Sequence, residues 1–576
     1  MLNEWVLPPA FFMIAGAFLL PFLTKKVRPF AFLFVTFITL FYILSIPEGA
    51  NFKVQLMDYN LTLFKVDSLS RIFGIIFAFI AFAGGIYSFH IKETGQQVAA
   101  LFYAGSAIGV TFAGDFFSLF IYWEIMAVAS TYLIWARGTR ESQKAGMRYL
   151  LYHVLGGGIL FAGILLHISK PGANLLITGK LSPESLSSWL ILLGVVINAA
   201  VPPLHAWLSD AYPKATVTGA VFLSAFTTKT AVYVLLRLFP GWEILLIFGT
   251  IMTVYGVIFA ILSNDIRGIL AYHIISQVGY MVAGVGIGTY MSLDGSAAHA
   301  FSHILYKALL FMGAGMVLHT TGRSKLTQLG GLYHAMPRTF WLYMVAAFSI
   351  SGFPLFNGFI SKSMVVAGAL EAHHGIAYLF LNLAAVGTFL SVGIKLPYFT
   401  WFSKQKDKNP VVEKPPKNMH IGMALVAFFC ILHGIVPSLL YRYLPTYLEH
   451  QWNPFTSHHL VEAVQLLTFT FIAFWIFRKK LQPQATISLD TDWFYRRPAR
   501  LARKIFVDSV SNTFDRVENM AFVAVDKLVA FGKNPFILIE KSKDKTYTPD
   551  RYRPAIQLLI LAILGIFIFL TLLSLF

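Results

Sequence analysis

Apolar residues in this chain come in long runs rather than in alternation. Runs of about 20 residues recur, the length an α-helix needs to cross the hydrocarbon core of a bilayer at about 1.5 Å per residue. The pattern predicts helices over 5–23, 27–46, 69–90, 96–114, 116–137, 147–170, 186–208, 218–239, 243–263, 269–290, 296–319, 340–371, 375–403, 419–441, 460–479 and 554–576. We read no strand-length alternating segment, which argues against an outer-membrane barrel. The fold class is therefore an all-α polytopic membrane protein with about 16 transmembrane helices. The first run, Trp5 to Leu23, follows Asn3 and Glu4 without a small-residue cleavage site. It reads as a retained helix, not a signal peptide.

Two spans are interrupted. The seventh contains Pro202-Pro203, with His205 just beyond, and the twelfth contains Ser351-Gly352-Phe353-Pro354. Proline removes a backbone donor and clashes with the preceding turn. Backbone groups freed at membrane depth must line a cavity or be buried in protein. Broken helices in corresponding positions, here five spans apart, point to an inverted-repeat transporter and to its site. The one long polar insertion is 480–552. Its apolar residues Phe506, Val510, Phe514, Val517 and Val525 fall at helical spacing between charges such as Lys504, Asp508, Asp515, Arg516 and Lys527. This predicts an amphipathic arm lying in the membrane interface or along a neighbouring subunit.

Composition agrees with a membrane solvent: 57% of residues are hydrophobic and 12% charged, and the mean hydropathy is +0.67. The net charge of +18 comes largely from loops. Lys25, Lys26 and Arg28 follow the first span. Arg137, Arg140, Lys144 and Arg148 follow the fifth, and Arg323, Lys325 and Arg338 the eleventh. Lys404, Lys406, Lys408, Lys414 and Lys417 follow the thirteenth. All four loops share one side if the spans alternate, which makes that side cytoplasmic in a cell inner membrane and turns both termini outward. The basic excess thus sets orientation and does not call for nucleic acid. The single cysteine, Cys430, cannot hold an iron–sulfur cluster, and there is no CxxCH for haem. Neither a cofactor nor a resident metal is expected, and no redox or hydrolytic site is read in this chain.

The chemistry lies in charged groups inside spans. Each costs about 2.5–3.5 kcal/mol on insertion scales, so each marks a functional position. Glu124 is in the fifth span, Lys229 in the eighth, His299, His303 and Lys307 in the eleventh, and Lys362 just after the break in the twelfth. His299, His303 and Lys307 are spaced i, i+4, i+8, which keeps them on one helix face about 6 Å apart per step. Two imidazoles and an amine in line can pass a proton through water, since histidine titrates near neutral pH and burial lowers a lysine towards it. Glu124 is the natural modulator of a nearby amine. His153, beside Gly156-Gly157-Gly158, and His205 are each either packed histidines or members of the path. Lys395 reads as snorkelling to the interface. Arg148, Arg237, Asp265 and Arg267 read as interfacial anchors, and Gly284, Gly286 and Gly288 as helix packing.

At these residues the sequence resembles the antiporter-like subunits shared by respiratory complex I and the Mrp cation/proton antiporters, most closely the D-type subunit of the latter. The matching stretches are Val66 to Ser70, Tyr122-Trp123-Glu124, Pro203 to Leu208 with Asp210-Ala211-Tyr212, Lys229 to Tyr233, Leu270-Ala271-Tyr272, His299 to Lys307, and Gly358 to Lys362. The resemblance implies two inverted five-helix repeats, 96–239 and 243–403, after N-terminal helices in 1–95. Helices 14 and 15 follow in 419–479, then the arm of 480–552 and a last helix in 554–576. It also implies a proton path through Glu124, Lys229, His299, His303, Lys307 and Lys362. The family usually has a lysine in the broken seventh helix where this chain has Asn198, and asparagine cannot take up a proton near pH 7. Either Lys229 pairs with Glu124 instead, or the first repeat does not pump. Two functions stay open: a proton-translocating subunit of a multisubunit Na+/proton antiporter, or a proton-pumping membrane subunit of a redox- or reaction-driven complex. Both imply other membrane subunits as partners, with protons, and Na+ in the first case, as the ions carried.

Overall fold

The computed structural model describes residues 6–56, 59–170, 175–404, 413–446, 452–485, 489–535 and 553–575. Asn3, Glu4, Trp5, Lys406, Lys408 and the stretch 536–552 lie outside the described residues. Helix is found in each of the sixteen ranges read from the apolar runs. Among the described residues, twelve helices are long and apolar enough to cross a membrane. Several begin on a side chain that accepts from an otherwise orphaned first-turn amide. Asp67 caps Ser68–Tyr87, Asp115 caps Phe116–Trp135 and Asp265 caps Ile266–Ile287. Thr139 starts helix Arg140–Ile168 and Thr289 starts Tyr290–Thr321. Both begin well before the apolar runs at 147 and 296, because a polar first turn is invisible to an apolar count.

One element departs from the all-helical reading. Asn51–Leu56 and Tyr59–Lys65 form an antiparallel two-stranded hairpin between the second and third spans. The alternation Asn51-Phe52-Lys53-Val54-Gln55-Leu56 is a period-2 pattern, too short to stand out beside runs of about 20 apolar residues. Phe64 and Val66 anchor the second strand in the core.

The seventh span ends at Asn198 and resumes as Ala206–Ala211. The twelfth runs Pro337–Ser351, turns at Gly352 with φ +77°, and resumes as Asn357–Glu371. A left-handed residue after the last helical one is the usual place for glycine. The eighth span is also interrupted, between Gly219–Ala225 and Thr227–Leu238, at Phe226. No proline or glycine marks that break. The thirteenth begins as Gly375–Thr388 and widens into π-helix over Phe389–Lys395 and Tyr398–Phe402.

Spans 8, 10 and 11 form the centre of the packing: an apolar 18-residue stretch of Gly219–Leu238 is wholly buried, and 94% of the residues are buried in such stretches of Ile266–Ile287 and Tyr290–Thr321. Spans 9 and 10 meet along a glycine seam. A Cβ on Gly249 would overlap the Ala283 backbone, and one on Gly286 the Leu246 backbone. Small residues let membrane helices approach this closely; a Cβ on Gly284 would overlap Ser296 of the eleventh span, and Gly288 ends the tenth span in the left-handed region with φ +74° beside the Gly241 backbone.

The expected anchors are mostly paired or buried instead. Arg267 is fully buried and donates to the carbonyls of Tyr212, Ala215 and Thr216 at 3.0, 3.0 and 3.2 Å. Arg237 forms a bidentate pair with Asp67 at 2.6 and 2.8 Å, and Arg148 pairs with Asp210 at 2.6 Å. Lys395 does not snorkel: it is 4% exposed and its Nζ donates to the Ile261 carbonyl at 2.5 Å. In each case a backbone or carboxylate acceptor replaces water.

Two compact units divide at residue 490. The second contains helices Asp492–Ala502, Ser509–Lys533 and Ile556–Leu573. Phe506, Val510, Phe514, Val517 and Val525 are all exposed there, as a helix with an unshared apolar face requires.

A buried ionisable row and the broken seventh helix

The eleventh-span residues stand as their spacing predicts. His299, His303 and Lys307 are all fully buried on helix Tyr290–Thr321. The rings of His299 and His303 are 6.3 Å apart. His299 Nδ1 is 3.1 Å from Ser361 Oγ on the second half of the broken twelfth span, one residue before Lys362. Its Nε2 is 3.4 Å from the Tyr306 hydroxyl, which donates to Gln277 at 3.3 Å. His303 makes no side-chain hydrogen bond among the described residues.

The three lysines share one arrangement. Lys362 Nζ donates to the Ile350 carbonyl at 2.8 Å, in the last turn before the break. Lys307 Nζ points at the Leu270 carbonyl at 3.4 Å. Lys229 Nζ donates to the Ser224 carbonyl just ahead of the break in the eighth span. None forms an ion pair with a carboxylate among the described residues. A carbonyl accepts from a neutral amine as well as from an ammonium. Each lysine can therefore lose a proton without leaving a buried carboxylate unpaired, which would be costly. His303 lies within electrostatic range of Lys229, Lys307, His299 and Lys362.

Glu124 is the member the row does not include. It packs against Gly157 of the sixth span, where a Cβ would overlap its Oε1. That oxygen has no hydrogen-bond partner among the described residues. Glu124 forms no ion pair with Lys229, so the alternative pairing expected for this chain is not present in this state. Asn198 instead accepts from His153: Nδ1 to Oδ1 is 2.7 Å, both groups buried. The His153 ring packs between Tyr149 and Trp207, 4.1 and 4.6 Å away, and its Nε2 is unbonded among the described residues. His153 thus occupies the polar position beside the residue that replaces the usual lysine.

Two further buried residues beside these groups are not among the candidates named from the sequence. His273, one residue beyond Leu270-Ala271-Tyr272, is fully buried with neither ring nitrogen bonded among the described residues. It lies within electrostatic range of Lys307 and Lys362. Its signal is a histidine inside an apolar span, the same signal that marks His299 and His303. Asp490 has no local signal. It comes from the polar segment after the fifteenth span, yet it is 8% exposed and reaches the break in the seventh. His205 Nε2 donates to it at 3.1 Å, Tyr272 donates at 2.7 Å, and Tyr255 also donates. Burial alone would raise the Asp490 carboxyl, but these hydrogen bonds outweigh it and hold the group below the usual carboxylate range.

Residues 113–391 match the family model described as "NADH:quinone oxidoreductase/Mrp antiporter, TM". The D-type subunit of the Na(+)/H(+) antiporter of Alkalihalophilus pseudofirmus is 27% identical, covering 77% of this chain and 95% of that one. The N-type subunit of the NADH-quinone oxidoreductase of Desulforudis audaxviator is 30% identical, covering 57% of this chain and 70% of that one. A chain of the Mrp complex from Dietzia sp. DQ12-45-1b shares the fold, with a TM-score of 0.67 and 19% identity over 81% of this chain and 98% of its own.

Proposed function

The chain belongs to the family of transmembrane subunits shared by NADH:quinone oxidoreductases and Mrp antiporters, and from that premise we propose that it moves protons along its buried row as one subunit of a larger membrane complex. The observation that carries this reading is the line Lys229, His303, Lys307, His299, Ser361, Lys362, buried throughout and free of carboxylate partners among the described residues. Amines held by carbonyls and imidazoles about 6 Å apart suit water-mediated proton exchange. His273 adds a further imidazole to the row. In the first repeat, His153 on Asn198 is the protonatable group in place of the family's lysine, and Glu124 acts through its own neighbourhood rather than by an ion pair.

The repeats are 96–239 and 243–403, and the basic loops face the cytoplasm. Partners are other membrane subunits. The ion exchanged for protons is Na+, a reading supported by the likeness to the Na(+)/H(+) antiporter of Alkalihalophilus pseudofirmus. The 30% identity to an NADH-quinone oxidoreductase chain favours a second reading, in which a redox- or reaction-driven complex supplies the energy to the same row.

The test is proton translocation in everted vesicles holding the whole complex. Lys307→Ala and Lys362→Ala each abolish it while the protein stays in the membrane at normal level, because each removes a serial proton carrier. Near wild-type transport in either variant overturns the route. A requirement for Na+ separates the antiporter from the driven complex.

A further inference from the structure

A cavity of about 80 Å³ reaches Lys362 from the start of the fifteenth span. Its lining includes the Lys362 side chain together with His458, His459 and Glu462. One nitrogen of each histidine and one Glu462 oxygen lie within 4.8 Å of one another. Glu462 is already oriented: its Oε1 accepts from the Tyr378 hydroxyl at 2.6 Å and from Asn382 Nδ2 at 3.1 Å, both on the thirteenth span. The His459 ring is 5.0 Å from the Trp452 ring.

We propose that His458, His459 and Glu462 bind a zinc-class divalent cation at the mouth of this cavity, and that the bound ion closes the way to Lys362. Two imidazole nitrogens and one carboxylate oxygen are a ligand set suited to Zn2+, which takes such ligands at about 2.0–2.2 Å and leaves a fourth position for water. His458 is exposed, so its ring can rotate inward by the small distance needed. Tyr378 and Asn382 form the outer shell that fixes a ligating carboxylate and tunes affinity. A cavity of this size holds several waters. It is therefore a path for protons when free and a plug site when metal-bound. The blocking claim rests on the role of Lys362 proposed above; the binding claim does not.

The experiment uses the purified full-length chain in its native complex and Zn2+ alone as probe. Zn2+ affinity is measured by competition with a chelating dye, and Zn2+ inhibition is measured on proton translocation. Wild-type protein is expected to hold one more Zn2+ per chain than His459→Ala/Glu462→Gln at micromolar free metal. Tyr378→Phe, which keeps all three ligands, is expected to bind about tenfold more weakly. Translocation by wild type is expected to stop at the same Zn2+ concentration, and the double variant to remain insensitive. Equal Zn2+ stoichiometry in wild type and double variant overturns the site. Binding without inhibition overturns the plug while leaving the site, and that outcome is distinct from a complex that moves no protons at all.

Discussion

Glu124 is held in place by an absence of atoms. The sixth span approaches the fifth so closely that a methyl group at Gly157 would overlap the Glu124 carboxylate. Gly158, one residue on, has nothing within 4 Å of its Cβ position. Both are interior helical glycines, so alanine at either gains up to about 1 kcal/mol of helix propensity. Gly157→Ala is expected to displace Glu124 and cut proton translocation severalfold, whereas Gly158→Ala leaves transport at wild-type level and slightly raises thermal stability. Translocation assays on the pair of variants check this; equal activity would show that the position of Glu124 does not matter. At this scale the sequence is informative where a side chain is conspicuous. A lysine or histidine inside an apolar run cannot hide, and the i, i+4, i+8 spacing puts His299, His303 and Lys307 on one face. It is silent where the partner comes from elsewhere. Nothing in Asn198 or His153 taken singly announces their hydrogen bond, which depends on how the sixth and seventh spans pack.

Among the elements, apolar length alone locates a helix in every range it marks, because a bilayer demands that length. What it misses obeys other rules. The hairpin at 51–65 is outside that demand and follows a two-residue period. The break at Phe226 carries no proline or glycine, and the π-helical turns at 389–402 leave no mark in the sequence. The motif Val66-Asp67-Ser68-Leu69-Ser70 gains a structural reason: Asp67 caps the third span through the Ser70 amide at 2.9 Å and also holds Arg237 at the end of the eighth. One carboxylate thus ties an N-terminal helix to the helix that carries Lys229. Burial works against its ionisation, but Arg237 and the Ser70 amide prevail, and its carboxyl is held below the usual range. A depressed carboxylate adds stability that is fully present above its unfolded value, about 3.9, and is lost as pH falls through its lower folded value. Asp67→Asn is therefore expected to lower stability by about 1–3 kcal/mol at neutral pH. The deficit relative to wild type should shrink on acidification below about pH 4. Thermal unfolding in detergent across pH measures both, and a deficit that did not change with pH would remove the charge from the explanation.

At the scale of the whole molecule, the junction at Asp490 joins residues 285 positions apart. The chain leaves the fifteenth span, and before its second unit begins it places one carboxylate beside His205 at the break of the seventh. The same carboxylate accepts from tyrosines of the ninth and tenth spans, so a single acceptor binds the two halves of the proposed repeat pair. Sequence cannot reveal this: an aspartate in a polar segment reads as solvated, and only the fold shows it 8% exposed. If Asp490 and His205 act as one unit, their variants must not add. Asp490→Asn keeps the shape but offers one oxygen to three donors and turns an amide donor towards them. His205→Ala removes one of the three donors. Each alone is expected to destabilise the protein by about 1–3 kcal/mol, since a buried polar group loses its partner. The double variant should cost less than the sum by about 0.5–3 kcal/mol, the range for residues in direct contact. Thermal unfolding of the four proteins gives the stability cycle, and proton translocation in the same four gives a functional one. A stability cycle that is non-additive beside an additive transport cycle would make Asp490 a fastening of the fold alone. Non-additivity in both would place it, with His205, among the groups that position the broken helix for transport.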